Sequence, residues 1–124
     1  MAVLLPLAWY AWRRAIPAGY MGRLAAIVLL VGFQGLLGWL MVRSGLQPGM
    51  TYVAPGWLAA HLLTALLTLA VVVWTALDMK ALERGGKAAR LTGPAALVLA
   101  MLALQLLYGA LIAGLKAGYV ASDW

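Results

Sequence analysis

Cysteine is missing altogether, histidine occurs once, and only three of the 124 residues are acidic. Without a thiol the chain has no disulfide, thiolate nucleophile, zinc–cysteine site or cysteine-held iron–sulfur cluster of its own. One imidazole and three carboxylates argue equally against a self-contained metal site. The formal charge of +6 would suggest nucleic acid if it covered a soluble surface. Here it is spread over short loops between apolar runs, so no nucleic-acid partner is expected.

What is abundant is hydrocarbon. Hydrophobic residues make up 66% of the chain and the mean hydropathy is +0.98, far above a soluble domain. The sequence predicts an all-α integral membrane protein, a bundle of three complete transmembrane helices plus the tail of a fourth. Residues 1–12, "MAVLLPLAWYAW", make about 18 Å of helix, too short to span. Their positive charge, Arg13 and Arg14, follows the apolar run, the reverse of a signal peptide. They read as the end of a helix that begins upstream. Leu24 to Val42 and Trp57 to Leu77 are each long enough to cross. A loop rich in Gly and Pro joins them. "DMKALERGGKAARLTG" (78–93) reads as a polar connector, and Thr92 with Pro94 as the start of a third span that runs to about Leu115.

Orientation follows from the division of basic residues. Arg13, Arg14, Arg23, Lys80, Arg84, Lys87 and Arg90 fall on one side, and only Arg43 and Lys116 on the other. The first side is therefore expected to be cytoplasmic. Trp39, Tyr52, Trp57, Tyr119 and Trp124 then mark the outer interface, and Trp9, Trp12, Tyr20 and Trp74 the inner one. His61 stands four residues after Trp57, about 6 Å of helix deeper, in the outer leaflet.

Helical spacing places Thr64, Thr68 and Thr75 on the His61 side of their helix, a stripe expected to face protein. Gln34 shares a stripe with Gly38 and Met41, and Gln105 with Gly109, Ile112 and Lys116. Small residues at Ala110, Gly114 and Gly118 suit close helix approach in lipid. An ionisable group inside a membrane is costly and is by default a functional candidate. On residue chemistry alone, His61 divides between a ligand or proton-relay role and a hydrogen-bonded structural one. Among metal centres heme suits it best, because a porphyrin brings four ligands of its own.

"QGLLGWLMVRSGL" (34–46), "WLAAHLLTALL" (57–67), "QLLYGALIAGLKAGYVASDW" (105–124) and "RRAIPAGY" (13–20), in this order and spacing, resemble the heme A synthase family. The resemblance covers essentially the whole chain. It implies an eight-helix bacterial inner-membrane enzyme of two similar four-helix halves, each holding a heme between two histidines. The implied reaction oxidises a methyl group of heme O to the formyl group of heme A by successive hydroxylations, with heme b as resident cofactor in the second half. On that plan residues 1–90 are the remainder of the first half and 91–124 the first helix of the second. His61 matches the axial histidine on helix four, and Lys116 is a candidate propionate contact, set against a lysine merely reaching the headgroups. Heme O, membrane lipid, heme O synthase, oxidase assembly factors and a second copy of the chain are the expected partners.

The family's Glu-x-x-His-Arg motif and the histidines of its second half do not occur in this sequence. The chain thus reads as an internal fragment, and no catalytic residue is assigned within it. Asp78 and Glu83 lie about 25 Å or more of helix from His61, too far to act beside it. A b-type cytochrome subunit, and a cofactor-free helical scaffold in which His61 is only hydrogen-bonded, are the alternatives.

Overall fold

The computed structural model describes residues 4–87 and 90–119. Its elements are α1 (Leu4–Trp12), α2 (Met21–Gly45), α3 (Pro55–Glu83), α4 (Gly93–Gly114) and a closing 3₁₀ turn, Ala117–Tyr119. The described residues contain no strand. α2, α3 and α4 are each long and apolar enough to cross a membrane, so this is a multi-pass helical membrane protein. Trp124 lies outside the described residues.

α3 is the central element. It packs on α2 along one side and on α4 along another, while α2 and α4 make no contact with each other among the described residues. α1 touches only α2. Very little is buried as a result: among the described residues Ile27, Leu37, Ala59 and Ala110 are the buried apolar ones, and large side chains such as Leu29, Phe33, Leu97, Met101 and Tyr108 stand exposed. In water that would be unstable. In lipid the exposed apolar surface is at home, and helices meet through small residues and hydrogen bonds instead.

The helices run past the apolar limits read from sequence. α3 continues through Asp78, Lys80 and Glu83, which sequence reading places in the connector, because polarity does not oppose helix formation and Met, Lys, Ala, Leu and Glu all favour it. The stop comes at glycine: Gly85 adopts φ +73°, and the N–H groups of Gly85 and Gly86 cap the carbonyls of Leu82 and Ala81. That pattern is a Schellman motif. At the start of α4, Thr92 is the N-cap with proline in the first turn, as expected, though its hydroxyl makes no capping bond.

The loop between α2 and α3 is tied at its base by one hydroxyl. Ser44 Oγ donates to the Met41 carbonyl at 2.7 Å and accepts the Ala54 N–H at 2.9 Å, joining the end of α2 to the entry of α3. α4 closes on the same end of α3. At Gly114 an added Cβ would meet Pro55 Cβ at 2.9 Å and its Cα at 3.1 Å, so the glycine is there for close approach. Ala110 is buried, in keeping with the small-residue stripe, but Gly118 faces open space.

Candidate functional site

α2 and α3 form an antiparallel pair whose register is set by the Ser44-tied loop. Residues equally far from the loop's centre, near Gly49 and Met50, face one another: Gly45 meets Val53, Gly38 meets His61, and Arg23 meets Asp78. Two polar contacts, one toward each end of the interface, follow from that register.

The first contains His61. Its ring lies edge-on against α2 at Gly38, where an added Cβ would be 3.1 Å from the ring's Cε1. Ordinary carbon contacts begin near 3.5 Å, so the ring fits only because residue 38 has no side chain. One turn away, Gln34 Nε2 donates to the His61 backbone carbonyl at 2.8 Å and lies 3.0 Å from ring Nδ1, with Nε2 farther at 3.5 Å. A carbonyl only accepts, so the Gln34 atom facing it must be the amide nitrogen. The same nitrogen is the Gln34 atom that faces Nδ1. Gln34 Oε1 is buried and has no hydrogen-bond partner. An unmet buried acceptor costs about 1–3 kcal/mol.

The threonine stripe turns inward only in part. Thr75 is buried, while Thr64 and Thr68 are half-buried. Each hydroxyl donates to the carbonyl four residues earlier, at 2.6–2.8 Å, so all three satisfy themselves within α3 rather than reaching His61. Gln105, Gly109 and Ile112 stand exposed on α4, and Lys116 is exposed beyond its end. The Lys116 ammonium lies 4.8 Å over the ring of Tyr52, and the residue takes φ +53° just beyond the end of α4. Arg43 stacks on Trp39 of its own helix at 5.2 Å, away from the Gln34 stripe.

The second contact was not legible as a pair. Arg23 Nη1 and Asp78 Oδ2 form an ion pair at 2.5 Å, with Asp78 side chain 4% exposed and Arg23 29%. The Arg23 guanidinium also lies 5.2 Å over Trp74 and 5.8 Å over Tyr20. It joins the start of α2 to the last turns of α3, at the end that carries Arg13, Arg14, Lys80 and Arg84. An apolar cavity of about 560 Å³ opens beside it, lined by α1, α2, the loop between them and Met79, some 25 Å of helix from His61. Among the described residues no three His, Cys, Asp or Glu side chains come together to hold a metal ion.

Comparison with known proteins places this arrangement. The family described as cytochrome oxidase assembly protein matches residues 1–124. A heme A synthase of Sphingopyxis alaskensis is 60% identical over 126 residues, covering 100% of this chain and 35% of that protein. Heme A synthases of Erythrobacter litoralis (48% identical, 100% of this chain, 37% of that protein) and Novosphingobium aromaticivorans (53% identical, 91% of this chain, 32% of that protein) are similar as well. This chain thus spans about a third of the length of the curated relatives it matches. No solved structure matches it.

Proposed function

This chain belongs to the cytochrome oxidase assembly protein family, and from that premise we propose that it supplies one axial heme ligand, His61, to a heme A synthase. The whole protein oxidises the methyl group of heme O to the formyl group of heme A in a bacterial inner membrane. Its relatives' names support the reading, and so does the oxidoreductase role they imply.

The observation that carries it is the setting of His61. A lone imidazole can serve only a metal that brings most of its own ligands, as porphyrin iron does, and no cluster for a bare ion exists among the described residues. The residues around His61 fit such a group. Gly38 leaves the ring room at the helix interface, and Gln34, bound to the His61 carbonyl and within 3.0 Å of Nδ1, is a polar neighbour of the kind that orients a ligating histidine. When bound, heme supplies redox chemistry. The chain's part is to hold the imidazole at a fixed depth and keep water away with the α2–α3 interface.

Lys116 remains a candidate propionate contact at the outer end. To serve, its ammonium has to leave the Tyr52 ring, a contact of about 0.5–1 kcal/mol when exposed. The test of the central reading is His61→Ala in the full-length protein. Heme O to heme A conversion should be abolished, while the heme b of the other half, on different histidines, stays largely in place. Near-normal heme A output would make His61 structural.

A further inference from the structure

We infer that the cavity at the basic end of the bundle holds one acyl chain of an anionic phospholipid, with the lipid's phosphate set against Lys80. The inference stands whether or not His61 binds heme.

The cavity is built for hydrocarbon just below the headgroups. Leu7 and Tyr10 of α1, Leu24 and Ile27 of α2, Ile16 of the loop and Met79 of α3 line its volume of about 560 Å³, a size within the range of small-ligand sites, about 300–1,000 Å³. From the α1–α2 loop it reaches Val28, about 10 Å along α2 in a hydrocarbon layer about 30 Å thick. That is the depth of the upper part of an acyl chain. Trp9 and Trp12, exposed at the same end, belong at that level too.

A second pocket continues the first. It shares Pro17 and Met79 with the cavity and adds Lys80 and Glu83, so hydrocarbon gives way to charge where the loop meets α3. Glu83 is the opposing charge there, and Asp78 is bound to Arg23. Against Glu83 stand Lys80, Arg14 and Arg84, all exposed and in no ion pair among the described residues, while Arg13 stacks on Trp9 at 4.4 Å. The surplus is positive. Each Lys or Arg at a membrane surface strengthens attraction to anionic lipid by about fivefold, and basic pockets between transmembrane helices suit anionic headgroups.

The shape favours a lipid over a further helix. A spanning helix in the cavity would have to run through the α1–α2 loop, whose Ala15, Ile16 and Pro17 form part of the wall. A lipid enters from the membrane instead, lays its chain along Leu24 and Ile27, and emerges beside Pro17 and Met79 next to Lys80.

The test is native mass spectrometry of the full-length protein in detergent, titrated separately with dioleoyl phosphatidylglycerol and dioleoyl phosphatidylcholine. Wild type should bind one phosphatidylglycerol more tightly than phosphatidylcholine. Lys80→Gln should weaken phosphatidylglycerol about fivefold and leave phosphatidylcholine unchanged. Ala15→Trp, which fills the cavity from an exposed loop position, should remove that tight phosphatidylglycerol. Arg43→Gln, at the other end of α2, should behave as wild type, and thermal unfolding shows which variants are folded. Equal affinity of wild type for the two lipids overturns the inference, and that measurement needs no variant. Undiminished phosphatidylglycerol binding by Lys80→Gln, or by folded Ala15→Trp, overturns it as well. A loss in Arg43→Gln as large as in Lys80→Gln would make net charge the cause and sink the site.

Discussion

Gly38→Ala and Gly35→Ala differ by less than one turn of α2, and they should have opposite consequences. Each replaces a mid-helix glycine, which gains about 1 kcal/mol of helix propensity. At Gly35 an added Cβ meets nothing within 4 Å, so that gain should appear undiminished. At Gly38 it meets His61 Cε1 at 3.1 Å and Nδ1 at 3.6 Å. The ring must retreat by roughly 0.4–0.9 Å to reach an ordinary contact distance. Overpacking of this kind costs about 1–3 kcal/mol, which leaves a net effect between neutral and about 2 kcal/mol destabilising. Retreat also lengthens the Gln34–Nδ1 bond from 3.0 Å to beyond what counts as a hydrogen bond. The full-length protein should then lose first-half heme more than it loses stability. Thermal unfolding in detergent gives the first quantity and the heme spectrum of the purified protein the second. If the two variants match wild type, or each other, in both measurements, the close seating of His61 on α2 is wrong.

Other contacts make similarly definite demands. Gly114→Ala should destabilise the α3–α4 pairing by about 1–3 kcal/mol, because the atoms it strikes belong to the rigid ring and backbone of Pro55; unfolding in detergent measures it. Asp78→Ala should cost about 1–3 kcal/mol, less than a fully buried pair because Arg23 is partly exposed, and the double variant Arg23→Met/Asp78→Leu should recover part of that loss in a double-mutant cycle. A reporter active only outside the cytoplasm should be active when fused near Gln47 and silent near Gly86, and the opposite result would reverse the orientation drawn from the basic residues.

The membrane class, the three spans and the isolation of His61 are sequence properties, because hydropathy acts residue by residue and lipid removes the need to know which face is buried. The end of α3 is only half of that kind. Gly85 and Gly86 announce a stop, but the turn and a half from Asp78 to Glu83 reads equally well as loop until the backbone is followed. The basic residues in the loops, and the register of small residues at Ala110 and Gly114, are likewise visible without coordinates. Which residues meet across helices is a different matter. Gln34 stands out as polar, and Arg23 and Asp78 as charged, yet nothing local assigns Gln34 to His61 or Arg23 to Asp78. Those pairings depend on where the α2–α3 hairpin turns, which the Ser44 hydroxyl and the close fit of Gly45 on Val53 decide. The threonines show the limit from the other side. Their spacing points toward His61, but each hydroxyl finds a carbonyl one turn back within α3, since in lipid a short polar side chain is satisfied by the nearest backbone before any distant partner. Among the described residues it is Gln34 that is long enough, and set at the right register, to cross the interface and reach the imidazole.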